Sequence, residues 1–184
     1  MAKVGLSKPY FAAYSASGTT VTYSTPTVLG KYTEMNIEVE ASDDNILYAD
    51  NAAAESDKAF TGGTFTMSTS DLSLANIQAL FGITPDSDGW TVFDDAMTNP
   101  YFGMGGIIKK VVNGTVSWVA FILDKVQFSV PSIAAVTQGE SIEWQTQELT
   151  ATILRSDASG NPWFRMQEYT TEALAEAAIT GFFS

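Results

Sequence analysis

Between Thr33 and Glu40 the odd positions (Thr33, Met35, Ile37, Val39) are apolar or β-branched and the even ones (Glu34, Asn36, Glu38, Glu40) are polar. A period of two marks a strand with one face on a core and the other in water. Thr64 to Ser68 repeats the pattern, with Phe65 and Met67 inward, and Gly62-Gly63 lets the chain turn into it. The period then changes. Leu72, Ala75, Ala79 and Leu80, widened by Ile77 and Phe81, are spaced for a helix largely buried against a sheet. Ser70 is its expected cap, Asp71 suits the positive end of its dipole, and Gly82 with Pro85 ends it.

Tyr101 to Val112 and Thr115 to Leu123 flank Asn113-Gly114, a pair suited to the positive φ angles of a type I′ hairpin turn. The turn also accounts for the sequon-like Asn113-Gly114-Thr115. Gly103, Gly105 and Gly106 point to a bulge or a close backbone approach in the first arm. Lys125 to Val130 reads as another strand, ended by Pro131. Ile142 and Trp144 place the apolar side on even positions, whereas Leu149, Ala151 and Ile153 place it on odd ones. One residue's slip reverses every side chain, so a bulge or bend within residues 146–148 is expected, letting one strand serve two sheets. Residues 157–162 form a turn that returns to a strand from Trp163 to Tyr169, and a short helix runs from about Glu172 to Ile179. The sum is one α+β domain, residues 1–184, predominantly β.

The segment from about 41 to 59 fits neither period. Asp43, Asp44, Asp50, Asn51, Glu55 and Asp57 surround a small apolar island, Ile46-Leu47-Tyr48. A loop of this length is uncommon unless functional. Its island has no evident place within one molecule, which makes it a candidate for contact with another subunit.

Composition removes much chemistry. The 184 residues hold no cysteine and no histidine, so disulfides, thiolate metal sites and histidine-based nucleophilic machinery are excluded. Nine basic residues against 21 acidic ones leave a net charge of −12, which disfavours gripping nucleic acid. Eight acids lie from Glu34 to Asp57 with no base among them. Such a run reads either as a solvated face or as a surface held near DNA without binding it. No stretch reaches the roughly 18 apolar residues of a membrane helix. The first residues lack the apolar run of a signal peptide, so a cytoplasmic origin is expected.

The remaining motifs favour structural explanations. Asp86-Ser87-Asp88-Gly89 begins like a calcium loop, but Thr91, Val92 and Phe93 follow where a glutamate is needed. Asp94 and Asp95 are adjacent, and neighbours on an extended chain face opposite ways. Gly103-Met104-Gly105-Gly106 lacks the helix start and lysine of a phosphate loop. Tyr32, Tyr48, Trp90, Trp118, Trp144 and Trp163 offer stacking surfaces, although strand aromatics serve core or interface first. No catalytic, cofactor or metal site is expected, and the chain does not read as an enzyme.

Four stretches carry a resemblance. Val4 to Ala12, Leu29-Gly30-Lys31 with Glu38 to Glu40, Leu47-Tyr48-Ala49-Asp50-Asn51, and Phe60 to Leu72 together resemble the major tail protein family of long-tailed phages, which builds the tail tube. The resemblance implies a tail-tube β-sandwich or barrel with a flanking helix, hexameric rings stacked into a tube, and no active site. It implies a place in the virion tail after assembly in the host cytoplasm. The implied partners are copies of itself, the tape-measure protein and the tail terminator, with DNA passing through the lumen unbound. In that frame Glu34, Glu38 and Glu40 are candidates for the lumen wall. Asp43, Asp44, Ile46, Leu47, Tyr48, Asp50 and Asn51 are candidates for contact between rings or subunits, alongside an N-terminal arm of about residues 1–15. A tube protein of a contractile injection or secretion system is the alternative in the same class. A solitary carbohydrate- or peptide-binding β module and a carboxylate-dependent hydrolase are the alternatives outside it.

Overall fold

The structure is a computed structural model that describes residues 2–42, 45–49, 52–57, 59–70, 72–95, 97–131 and 146–184. The strands are β1 (Ala2–Ser17), β2 (Thr20–Tyr23), β3 (Thr27–Val28), β4 (Tyr32–Ala41), β5 (Asn45–Ala49), β6 (Ala52–Asp57), β7 (Phe60–Thr69), β8 (Tyr101–Val112), β9 (Thr115–Phe128), β10 (Gln147–Leu154) and β11 (Phe164–Tyr169). The helices are α1 (Leu74–Phe81) and α2 (Glu172–Phe182). Nine strands form one antiparallel sheet in the order β2–β1–β8–β9–β10–β7–β4, with β11 also on β9 and β3 also on β1. The domain is predominantly β, as its alternating sequence requires.

The hairpin β8–β9 is the centre of this sheet. Asn113 and Gly114 take φ of 49° and 80°, and Val112 faces Thr115 across the expected turn. The segment from Lys125, expected as a separate strand, is the second half of β9. The bend expected within residues 146–148 is not seen at residues 147 and 148. Gln147 and Glu148 pair in regular register with Thr69 and Ser68, while the Ile142–Trp144 portion of that expectation falls outside the described residues. In β9, two residues, Asp124 and Lys125, stand opposite Gly103 alone. In β1, Lys8 and Pro9 stand opposite Gly106, with Lys8 at a φ of 56°. Both neighbours of β8 therefore carry an extra residue where β8 carries glycines, and the sheet turns a corner.

The corner curls the sheet around a core. Phe65 and Met67 of β7, Leu149, Ala151 and Ile153 of β10, and Val126 and Phe128 of β9 point inward with Phe102 and Met104 of β8. Leu80 and Phe81 of α1 enter the same core. Beyond them β4 returns alongside β1 without sharing a ladder, leaving a seam lined by Gly5, Leu6, Tyr32 and Met35. On the other face of β1, β8 and β9, α2 packs Ala175, Ile179 and Phe183 on Ala12, Ile107, Ala120 and Ile122. A Cβ on Gly103 would lie 2.5 Å from the Phe183 ring, and one on Gly105 would lie 2.8 Å from Ile179. The expected close approach is thus to this helix.

Several boundaries differ from the sequence reading. Ser73 caps α1, its hydroxyl accepting from the Asn76 N–H at 3.2 Å, so the cap is one turn later than Ser70. Only Leu80 and Phe81 of α1 are fully buried; Ala75 and Ala79 are exposed, so the helix is half-wet, not largely buried. Gly62 and Gly63 lie within β7, where a Cβ on Gly63 would meet the Glu38 carbonyl at 2.6 Å. The last helix runs through Gly181 to Phe182. Most of the expected N-terminal arm belongs to β1, paired with β8.

The β1 bulge also aims side chains at α2. Lys8 pairs with Glu176, whose other oxygen accepts from the Tyr10 hydroxyl at 2.6 Å, and Ser7 donates to Glu172 at 2.7 Å. These bonds hold the Glu176 carboxyl below its ordinary value of 4.5, and the Glu176 bond pushes the Tyr10 hydroxyl up to about 12. A depressed carboxylate stabilises the fold above its unfolded pKa and ceases to do so as pH falls through the folded one. Glu176→Gln is expected to lower the melting temperature by about 2–4 °C near pH 7. The gap should close as pH falls below 4.5 and through the lower folded pKa. Thermal melts across that range test it, and a gap independent of pH contradicts the latch.

Candidate assembly surface

Across β4, β7 and β10 the outward positions align by register. Glu34, Asn36, Glu38 and Glu40 face Ser68, Thr66, Thr64 and Gly62, and these in turn face Glu148, Thr150 and Thr152 of β10. Glu34, Glu38, Glu40 and Glu148 are exposed. No lysine or arginine occupies any of these positions, so the face is a hydroxyl lawn bearing carboxylates. The Asn36 amide donates to Glu38 at 3.0 Å. The inward half of the β4 pattern holds at Met35 and Ile37, which pack against the core. Thr33 is the extra residue of a bulge, and Val39 is 49% exposed where the strand outruns the core.

β4 is also the last strand in its sheet, and its outer edge has no ladder partner among the described residues. The start of β4 lies against β1 across the seam, and an edge without a ladder partner is a template for another chain's strand, on which charge discourages indiscriminate pairing.

The segment expected as an unstructured loop is a ribbon. β5 and β6 pair from Asn45↔Asp57 to Ala49↔Ala52, with a register shift between Leu47 and Tyr48. Ser42 and Ala59 bridge it to the main sheet, the Ser42 N–H donating to the Ala59 carbonyl at 2.8 Å. The ribbon therefore continues the hairpin β4–β7. Among the described residues it has no substantial contact with any other element. Ile46, Leu47 and Tyr48 lie on β5, opposite Ser56, Glu55 and Ala53. Asp43, Asp44, Asp50 and Asn51 lie outside the described residues.

The other candidates resolve into structural roles. The Asp86 carboxylate accepts the N–H groups of Asp88 (3.0 Å) and Trp90 (2.8 Å), closing a turn. Trp163 stacks on Phe60 with centroids 4.3 Å apart, Lys109 sits over Trp118, and Tyr32 is in the core. Trp90, 71% exposed, remains open. Among the described residues no cluster of acids is arranged to hold a metal, and no helix is long and apolar enough to cross a membrane.

One pair escaped the sequence reading. Asp124, at the β9 bulge, is 1% exposed, and both its oxygens accept from Arg165 Nε of β11 at 2.8 and 3.1 Å. Burial pushes its carboxyl up, and Arg165 pulls it part of the way back. The available signal was an acid closing an apolar run, Val119-Ala120-Phe121-Ile122-Leu123-Asp124. Comparison with protein-family models and with curated proteins gives no match to this chain.

Removing one partner of a buried ion pair strands the other charge, whereas removing both does not. Arg165→Met is expected to cost about 2–4 kcal/mol of unfolding free energy. Asp124→Asn with Arg165→Met should recover most of it. Urea denaturation of the two variants checks this; equal losses would show that the pair is not a unit.

Proposed function

We propose that this chain is a structural subunit that assembles with copies of itself into stacked hexameric rings, as the major tail tube protein of a long-tailed phage, forming a conduit for DNA. The observation that carries this reading is the geometry of one hairpin. β4 and β7 present an acid-bearing polar face, an edge without a ladder partner and, attached beyond their ends, a ribbon with no substantial contact to another element among the described residues. Each is a cost for a solitary molecule and an asset for a repeating one.

The mechanism is electrostatic and geometric, without chemistry. A bore walled by Glu34, Glu38, Glu40 and hydroxyls repels phosphate, so DNA passes without binding. Strand edges left open in one subunit are completed by the next, closing a ring by heterologous contact. The ribbon reaches the adjoining ring, where the Ile46-Leu47-Tyr48 island leaves water. The resemblance of the Val4–Ala12 and Phe60–Leu72 stretches to tail tube proteins supports the same reading. By the same resemblance its partners are the tape-measure protein and the tail terminator, and its location is the virion tail. A tube protein of a contractile injection or secretion system shares all these physical requirements; a co-purifying sheath separates it.

Electron microscopy of the concentrated pure protein tests the proposal: rings or tubes are expected, and a monodisperse monomer at every concentration rejects it. Leu47→Ser with Tyr48→Ser should preserve the melting temperature and abolish tube growth; tubes of ordinary length would refute the stacking role. Glu34→Lys, Glu38→Lys and Glu40→Lys together should leave assembly intact and retard DNA passage from particles. Normal ejection would remove these residues from the lumen.

A further inference from the structure

The Arg165 guanidinium is only half engaged. Nε is committed to Asp124, and the plane is steadied by Phe182, whose ring centroid lies 5.0 Å away. The two terminal nitrogens have no hydrogen-bond partner among the described residues, and the side chain remains 47% exposed. Arg165 lines a cleft of about 490 Å³ enclosed by the β1–β2 hairpin, residues 156–158 and the end of α2. The rest of its lining includes hydroxyls of Thr19, Thr22 and Ser156.

Charge sets this recess apart. The molecule carries −12 overall, yet the carboxylates beside the cleft are already occupied. Asp124 is held by Arg165, and Asp157 accepts from both Lys125 and the Tyr14 hydroxyl at 2.7 Å. Asp124 is part of the lining but is paired to Nε, so the terminal N–H groups of Arg165 are the donors left at the cleft. The outer end of a guanidinium matches a carboxylate in width and plane, and a pre-oriented fork loses little freedom on binding one.

We infer that this cleft receives a carboxylate side chain from a second copy of the chain, held end-on by the terminal nitrogens of Arg165. The choice of a second copy rests on the self-assembly proposed above. Charge complementarity supports it, because 21 acids against nine bases leave each copy with many exposed carboxylates and few cations to receive them.

Sedimentation velocity over a concentration series tests this on three full-length proteins: wild type, Asp124→Asn, and Asp124→Asn with Arg165→Met. Asp124→Asn keeps the guanidinium and should associate like wild type. The double variant should fold, as its melting curve will show, and associate roughly tenfold or more weakly. If wild type associates and the double variant matches it, the cleft assignment falls while self-assembly stands. Equal weakening by Asp124→Asn alone would make the effect structural and overturn the inference. A wild type that stays monomeric throughout overturns self-assembly and this inference together.

Discussion

The architecture depends on one long strand that joins both halves of a bent sheet. Along one edge β9 pairs with β8 for its whole length, while the other edge is divided between β11, opposite residues 118–123, and β10, opposite residues 125–128. At the changeover the strand bends, and the bend buries a carboxylate. Asp124 is tolerable there because Arg165 meets its oxygens, its N–H donates to the Trp163 carbonyl, and its own carbonyl accepts from Tyr23. A charge pair at a corner adds little net stability against an apolar alternative, but it fixes geometry through directional bonds. Here it ties β9 to β11 at the point where their shared sheet turns.

The corner also divides the molecule's surface into two kinds. On the β1–β8–β9 side the outer face is covered by α2, admitted by Gly103 and Gly105. On the β4–β7–β10 side no helix covers the outer face among the described residues, and that face is mostly threonine, serine and glutamate. Threonine suits a strand open to water, since its β-branch favours the extended backbone and its hydroxyl satisfies solvent. The domain thus keeps one face for its own stability and exposes the other, the face that the proposed self-assembly would use.

The elements with short-range causes were legible in the sequence. Asn113-Gly114 specifies a turn through the backbone freedom of two residues, and the Phe65–Met67 and Leu149–Ile153 alternations specify faces locally. What failed depends on distant parts of the chain. Ser70 and Ser73 are equally good caps in isolation; Ser70 is drawn away because its N–H donates to the Lys31 carbonyl at the end of the β7–β4 ladder. Glycines 62 and 63 read as a turn because the carbonyl crowding Gly63 comes from Glu38 on another strand. The ribbon was hidden because alanine and acid residues carry little strand preference, and its pairing is dictated by the hairpin it prolongs. Of the candidate surface, the acid row on β4 was visible as a pattern, whereas the Asp124–Arg165 pair spans 41 residues and left only an odd acid after an apolar run.

The ribbon's attachment beyond the ends of β4 and β7 has a mechanical meaning. A pull on the ribbon directed along β4 and β7 slides β7 past β10. Seven consecutive residue pairs, from Gln147↔Thr69 to Ile153↔Gly63, then bear the force in parallel, because antiparallel hydrogen bonds lie across the strand direction. A hairpin attached at right angles would surrender those bonds one after another. Tension along the strand axes is therefore met as shear, the loading under which a β-ladder is strongest.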